Sequence, residues 1–375
     1  MAAASLAAGA DFLHSSNGDN DSLLRIVQVR DLIAGQGWFD LTQYRMGLDG
    51  GFVMHWSRIV DAPIAAIVIA GTWLSGSQAI GEAVALILWP ILLFASALFL
   101  VLRSARLAHG EAAMLPALVT GGTALYAVGV FSPGIIDHHN FQLVLTLAMA
   151  WGIIARTHAS GLIAGGAAAA SLAIGAETMP YVALGGAVVA VLFLLRGRTE
   201  AGLAAGFGAG FSAAALAAFV ATVPASHWFS VACDSYSVVQ FAIAIVAGAG
   251  LVAVTRTADR PVATRAAALA TLGGAVGALL LIAFPQCVGD PFADMDPLLR
   301  SHWLDMVTEA QSMVTLVVHE PDSVLFWFGT PVLALAVAAH LALRGTLSRG
   351  DAALAALIAG AVAVASWQVR GGIFS

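Results

Sequence analysis

Long apolar runs separated by short polar segments dominate the chain. Charge-poor stretches near the length needed to cross a bilayer, about 20 residues, lie at roughly 80–103, 113–132, 141–156, 161–175, 178–196, 201–223, 238–255, 263–284, 323–343 and 351–369. Their many Gly and Ala residues suit helices that pack closely through small side chains, and they lack the alternating pattern of a β-barrel strand. A weaker run occupies 59–76. The opening "MAAASLAAGADFL" is too short to cross and lacks the basic n-region of a signal peptide, so it reads as a degenerate first span or a short anchor.

The segments between the runs alternate in character. "RSARLAHG", "ART", "RGRTE", "RTADRPVATR" and "RGTLSRG" carry Arg103, Arg106, Arg156, Arg196, Arg198, Arg256, Arg260, Arg265, Arg344 and Arg349, which assigns them to the cytoplasmic side. The intervening segments are acidic and poor in arginine. They become outer loops: a first over 14–79, a second over 133–140, the "GAETMPY" turn, "PASHWFSVACDSYS", and a long loop over 285–322. For the first and second outer loops to share a face, an even number of spans must separate them. The short 59–76 segment, with Asp61 and Pro63, is therefore expected to be an interfacial or re-entrant helix.

Composition agrees with this pattern. Hydrophobic residues make up 60% of the 375 and charged residues 10%, the balance of a multi-span membrane protein. The expected fold class is all-α: a polytopic helical membrane protein with about 10–11 transmembrane helices, forming a single transmembrane domain over 1–375. A net charge of −6 rules against a nucleic-acid surface. Cys233 and Cys287 both fall in outer loops, where a disulfide and two free thiols are equally compatible with the sequence.

The outer loops concentrate groups that bind metals or move protons. In "NGDNDSLLRIVQVRDLIAG", Asp19 and Asp21 precede an amphipathic helix bearing Leu23, Leu24, Val27 and Ile33, and either a helix N-cap or a ligand role fits Asp21. In "IIDHHN", Asp137 and His139 are spaced so that both can face one ion in a loop not yet helical, while a cap and a surface histidine are the plain alternatives. Carboxylate and neutral imidazole serve Mg²⁺, Mn²⁺ or Zn²⁺. Glu309 stands in the long outer loop, which exceeds what a mere connection needs. Glu177, before Pro180, reads as a helix-boundary residue. Arg370 lies at the outer end of the last run, where an arginine snorkels to headgroups or grips a phosphate. A metal held by carboxylates and histidine beside an arginine suits a lipid-linked phosphate, which points to transfer from a lipid carrier.

As an ordered set these segments resemble the membrane domain of the oligosaccharyltransferase catalytic subunit, a GT-C-type glycosyltransferase. "NDSLLRIVQVRDLIAGQG" is similar to that family's first outer loop, "DHHN" to the Asp-x-His form of its second motif, "VTEAQS" to its glutamate motif, and "WQVRGG" to the stretch bearing its phosphate-facing arginine. The resemblance implies that Asp21, Asp137, His139 and Glu309 hold Mn²⁺ or Mg²⁺ and that Asp21 and Glu309 are catalytic. It further implies that Arg370 binds the donor phosphate and that Asp19, His138 and Gln311 support the site. The implied donor is a polyprenyl-linked glycan, the acceptor a protein or another glycan, and the place a bacterial inner membrane with its site facing the periplasm. Two departures stand out: Gln142 replaces the glutamate common in relatives, and the chain has no counterpart of the family's soluble domain with its Trp-Trp-Asp-Tyr-Gly motif. A transporter, expected to carry polar groups near mid-membrane, and a non-catalytic accessory protein are the competing readings.

Overall fold

The computed structural model describes residues 19–47, 49–289, 295–307 and 310–374. Every apolar run read from the sequence is a helix. After α1 (Asn20–Ile33) come α2 (Arg58–Ser75), α3 (Gln78–His109), α4 (Met114–Ala127), α5 (His138–Ala155) and α6 (His158–Ile174). There follow α7 (Met179–Arg196), α8 (Arg198–Thr222), α9 (Val238–Val254), α10 (Val262–Ala278), the short α11 (Pro297–His302) and α12 (Met313–His319), then α13 (Pro321–Leu343) and α14 (Arg349–Trp367). Among the described residues the sheet content is one antiparallel ribbon, β1 (Thr42–Gln43) with β2 (Phe52–Val53), in which Thr42 pairs with Val53 and Gln43 with Phe52.

Eight of the described helices, α2, α3, α7, α8, α9, α10, α13 and α14, are long and apolar enough to cross a membrane. The remaining expected spans are shorter or more polar. α4 has 14 residues and α6 has 17, and α5 opens on His138, His139 and Asn140. The helix read from the sequence as interfacial, α2, meets the length and hydropathy of a span.

The described chain forms two compact units. The first comprises residues up to Leu147 with Ala170–Ala176 and Leu216–Phe241; the second comprises Ala148–Ala169, Glu177–Ala215 and the chain from Ala242 onward.

In the first unit α2 and α3 form a tight hairpin. Gly76 ends α2 in the left-handed conformation (φ 71°) and returns its amide to the Thr72 carbonyl, so only Gly76 and Ser77 link the helices. The helices then meet at Gly71 and Gly81. A Cβ at Gly71 would stand 2.8 Å from the Gly81 Cα, and one at Gly81 would overlap the Val68 carbonyl and Thr72.

Helix α1 is packed inside out. Its apolar Leu23, Leu24 and Val27 stay half-exposed, while Ser22, Arg25, Ile26, Gln28 and Val29 are buried. Where lipid rather than water lies outside, a polar stripe belongs against protein, since hydrocarbon offers no hydrogen bonds. Arg25 and Arg58 enclose Asp61 from both sides: Arg25 Nη1 donates to Oδ1 at 2.8 Å and Arg58 Nη1 to Oδ2 at 3.1 Å. Arg58 also donates to the carbonyls of Gln28 (3.1 Å) and Asp40 (2.7 Å) and to the Gln36 side chain (2.8 Å). The network thus ties α1, the loop after it, and the first turn of α2.

The second unit packs through small residues. Gly161 and Gly165 of α6 and Gly206 and Gly210 of α8 leave no room for a Cβ against the partner backbone. The buried Glu200 of α8 meets Arg156, the residue after α5, at 2.8 Å. After α14 the turn Val369–Phe374 folds so tightly that Gly371 lies against Tyr181 and Gly372 against Trp327, and Tyr181 donates to the Gly371 carbonyl at 2.9 Å.

Four stability outcomes follow, read from thermal unfolding in detergent. Gly81→Ala forces backbone apart and is expected to cost about 1–3 kcal/mol. Gly122→Ala, with nothing within 4 Å of its added Cβ, is expected to gain about 0.5–1 kcal/mol from helix propensity. Asp61→Leu strands two buried guanidiniums and is expected to cost about 3–5 kcal/mol. Arg25→Leu, which leaves Asp61 paired with Arg58, is expected to cost less.

Candidate metal centre

Asp19, rather than Asp21, is the N-cap of α1: its carboxylate accepts the Ser22 amide at 2.5 Å. The helix begins at Asn20, so Asp21 falls within the first turn and is released from capping. Asp21 is half-buried. Burial, and then the negative charge of Asp137, raise its carboxyl above the ordinary range, against the smaller pull of His138 and His139.

The second motif joins α1 by a direct bond. The Ile136 amide donates to the buried Ser22 hydroxyl at 3.0 Å, so "IIDHHN" lies against the start of α1. α5 begins at His138, which leaves Asp137 just outside the helix. Asp137, His138 and His139 are all buried, and one ligand atom from each lies within 4.8 Å of the others. Burial alone would raise Asp137. The adjacent His138 and His139, a hydrogen bond from His138 and the Arg25 guanidinium outweigh it and hold the carboxyl well below the usual carboxylate range.

The two histidines face different partners. His138 Nδ1 stands 2.5 Å from Asp137 Oδ1 and 3.2 Å from Arg25 Nη2, and its ring lies 4.9 Å from that of Trp56. Trp56 in turn carries the Arg25 guanidinium 4.5 Å above its face. His139 Nε2 stands 3.5 Å from Asp137 Oδ2, while its Nδ1 is 3.2 Å from Gln142 Oε1. The donor set suits a divalent cation: an ionised carboxylate and an imidazole nitrogen facing one another, in a pocket of protein where Asp21 supplies a second carboxylate nearby.

The other expected site residues belong to the second unit. Glu309 lies outside the described residues. Its neighbour Gln311 is placed: the Gln311 carbonyl accepts the Val369 amide at 2.9 Å, and its side chain donates to the Asp305 carbonyl at 3.3 Å. The glutamate motif and the arginine motif are therefore stitched together beside Arg370, whose backbone is part of the turn Val369–Phe374. Glu177 sits in the single turn Ala176–Thr178 ahead of α7, with Pro180 in the first turn, as its helix-boundary reading required. Neither Cys233 nor Cys287 is a free thiol.

Arg25, Trp56 and Asp61 were not legible as site components. They are scattered over a loop and two helices, and only the fold brings them to His138. The one signal was charge within apolar surroundings, an arginine and an aspartate for which lipid offers no solvation.

No protein-family model and no curated protein matches the chain. The fold is similar to solved structures of the Archaeoglobus fulgidus oligosaccharyltransferase. The apo form aligns at 15% identity with a TM-score of 0.62, covering 95% of this chain and 45% of that one. A form tethered by a disulfide to an acceptor peptide containing the NVT sequon aligns at 14% identity and 0.66, with 95% and 44% covered. A complex with Zn and sulfate aligns at 14% and 0.60, with 95% and 43% covered. The chain spans less than half the length of the solved protein, and at this identity the likeness establishes the fold alone: the all-α architecture of that membrane region.

Proposed function

We propose that this chain is a metal-dependent glycosyltransferase that moves a glycan from a polyprenyl-phosphate or -pyrophosphate carrier to an acceptor at the outer face of a bacterial inner membrane. The observation that carries the reading is the buried Asp137–His139 pair at the start of α5, with Asp21 at its side, in a fold similar to an oligosaccharyltransferase. The polar cluster stands at a helix end rather than midway along a span, which favours transfer at a surface over a transport pathway.

Asp137, His139 through Nε2, Asp21 and Glu309 would hold Mn²⁺ or Mg²⁺. When bound, the ion supplies positive charge against the negative charge that builds on the carrier phosphate as the glycosidic bond breaks. Arg370 would grip that phosphate with its planar fork of donors. Glu309 and Asp21 would orient the acceptor nucleophile and take its proton as the bond to the sugar C1 forms. Asp19 and His138 would act as supports, Asp19 by ending α1 and His138 by filling the gap between Asp137 and Arg25. Gln311 would anchor the Glu309 stretch beside Arg370.

Two contacts support this sidedness. The Ser22–Ile136 bond joins the first and second motifs, as an even number of crossings between them requires. The Leu86 carbonyl accepts the Gly134 amide at 2.8 Å, which sets the level of the site on α3. From Leu86 to His109 the helix rises about 35 Å, enough for a hydrocarbon core of about 30 Å. The part of α3 before Leu86, with the second half of α2 packed alongside, is then outside that core. On this reading α3 and α4 cross and α2 does not, despite its apolar length. That neither cysteine is a free thiol agrees with outer, oxidising loops.

Two measurements test the proposal. In a strain lacking the protein, lipid-linked glycans measured by mass spectrometry are expected to accumulate. The intact chain is expected to clear them, and Asp137→Asn to turn them over on the order of 100-fold more slowly, the scale for removing a group that stabilises transition-state charge. Equal lipid pools in all strains would end the donor reading. In Leu74→Cys, the new thiol near the tip of the α2–α3 hairpin is expected to react with a membrane-impermeant maleimide added to cells with a permeabilised outer membrane. Labelling only after the inner membrane is opened would place α2 across the membrane.

A further inference from the structure

Gln142 is fully buried on α5, three residues beyond His139 and so on the same helix face. Its two ends meet opposite chemistry. The Nε2 end faces the Gly175 carbonyl at 3.2 Å and the Ser171 carbonyl at 3.5 Å. Both carbonyls belong to the last turn of α6 and its exit: the Ser171 carbonyl also accepts the Gly175 amide at 3.3 Å, and the Gly175 carbonyl lies past the helix end. The other end, Oε1, faces His139 Nδ1 at 3.2 Å.

The Gln142 end of this arrangement has one consistent assignment of protons. Carbonyls only accept, so the amide nitrogen must point at Gly175 and Ser171; a flipped amide would put three oxygens together. The side-chain oxygen then points at His139 and only accepts, so Nδ1 of His139 carries the proton. In the neutral ring that leaves Nε2 bare, and Nε2 is the nitrogen that stands 3.5 Å from Asp137 Oδ2.

We propose that Gln142 is a positioning residue that uses the end of α6 as a template to set the tautomer of His139, presenting a bare Nε2 beside Asp137 to a divalent cation. The inference rests on the metal-dependent reading above. Through His139 it links cation affinity to the docking of α5 on α6. A hydrogen-bonded partner on the far nitrogen of a ligating imidazole commonly contributes 10–100-fold in affinity.

The test uses the purified full chain in detergent, with Mn²⁺ as the probe in calorimetric titrations. Gln142→Met keeps length and volume but removes the acceptor, and Mn²⁺ is expected to bind about 10–100-fold more weakly. Gln142→Glu restores an acceptor for His139 while losing the donor to α6, and is expected to recover most of the lost affinity. In the metal-free protein with ¹⁵N-labelled histidine, the signals that disappear in His139→Gln are expected to show a protonated Nδ1 and a bare Nε2, and Gln142→Met to shift them toward the other tautomer. Wild-type affinity in Gln142→Met, equal loss in the Met and Glu variants, or a neutral wild-type ring with its proton on Nε2 would each overturn the proposal. Absence of Mn²⁺ binding by the wild type, or wild-type affinity in His139→Gln, would instead remove the metal-dependent reading. The ¹⁵N signals decide the His139 tautomer in either case.

Discussion

Two buried guanidiniums in the first unit need two negative charges, and the fold supplies them from different parts of the chain. Asp61, held between Arg25 and Arg58, is one. Asp137, drawn down by Arg25 and its histidine neighbours, is the other. Taking any of these charges out of water alone would cost several kcal/mol, so each element is committed to the others. The first turn of α2, the buried face of α1 and the residues before α5 therefore stabilise one another. An ionised carboxylate ends up inside the protein as a result. That is an arrangement a cation can use, because the charge is already desolvated and in place before any ligand arrives.

The same constraint explains the inverted packing of α1. In a soluble protein a helix with Leu23, Leu24 and Val27 on one face would bury them. Here Ser22, Arg25 and Gln28 are buried together with Ile26 and Val29, and the leucines stay half-exposed. Sequence alone marks such a helix as amphipathic but leaves its polarity unassigned, because outward-facing apolar residues make sense only once a membrane is the surrounding medium.

The helices were legible because the signal for a span is long and redundant: each expected run became a helix with ends within a few residues. Asp137 and His139 were legible because two ligand types sit side by side in sequence. Which of Asp19 and Asp21 caps α1 stayed open, because aspartates spaced so closely compete for one role and only backbone geometry separates them. The Arg25–Asp61–Arg58 cluster and the contact of Gln142 with the end of α6 were illegible, since each joins positions distant in sequence through side-chain geometry that has no local pattern. Between these extremes stands Gln311, singled out by its motif but located by the bond from Val369 to its carbonyl.

The centre of the functional reading is a divalent cation held by Asp137 and by Nε2 of His139. Pulsed electron paramagnetic resonance of Mn²⁺ bound to the full chain tests it most directly, because the electron spin reports ligating nitrogen. The expected result is a coupling to one histidine nitrogen that changes with ¹⁵N-histidine labelling and disappears in His139→Gln. Bound Mn²⁺ with no histidine coupling, or a coupling that survives in His139→Gln, would contradict it.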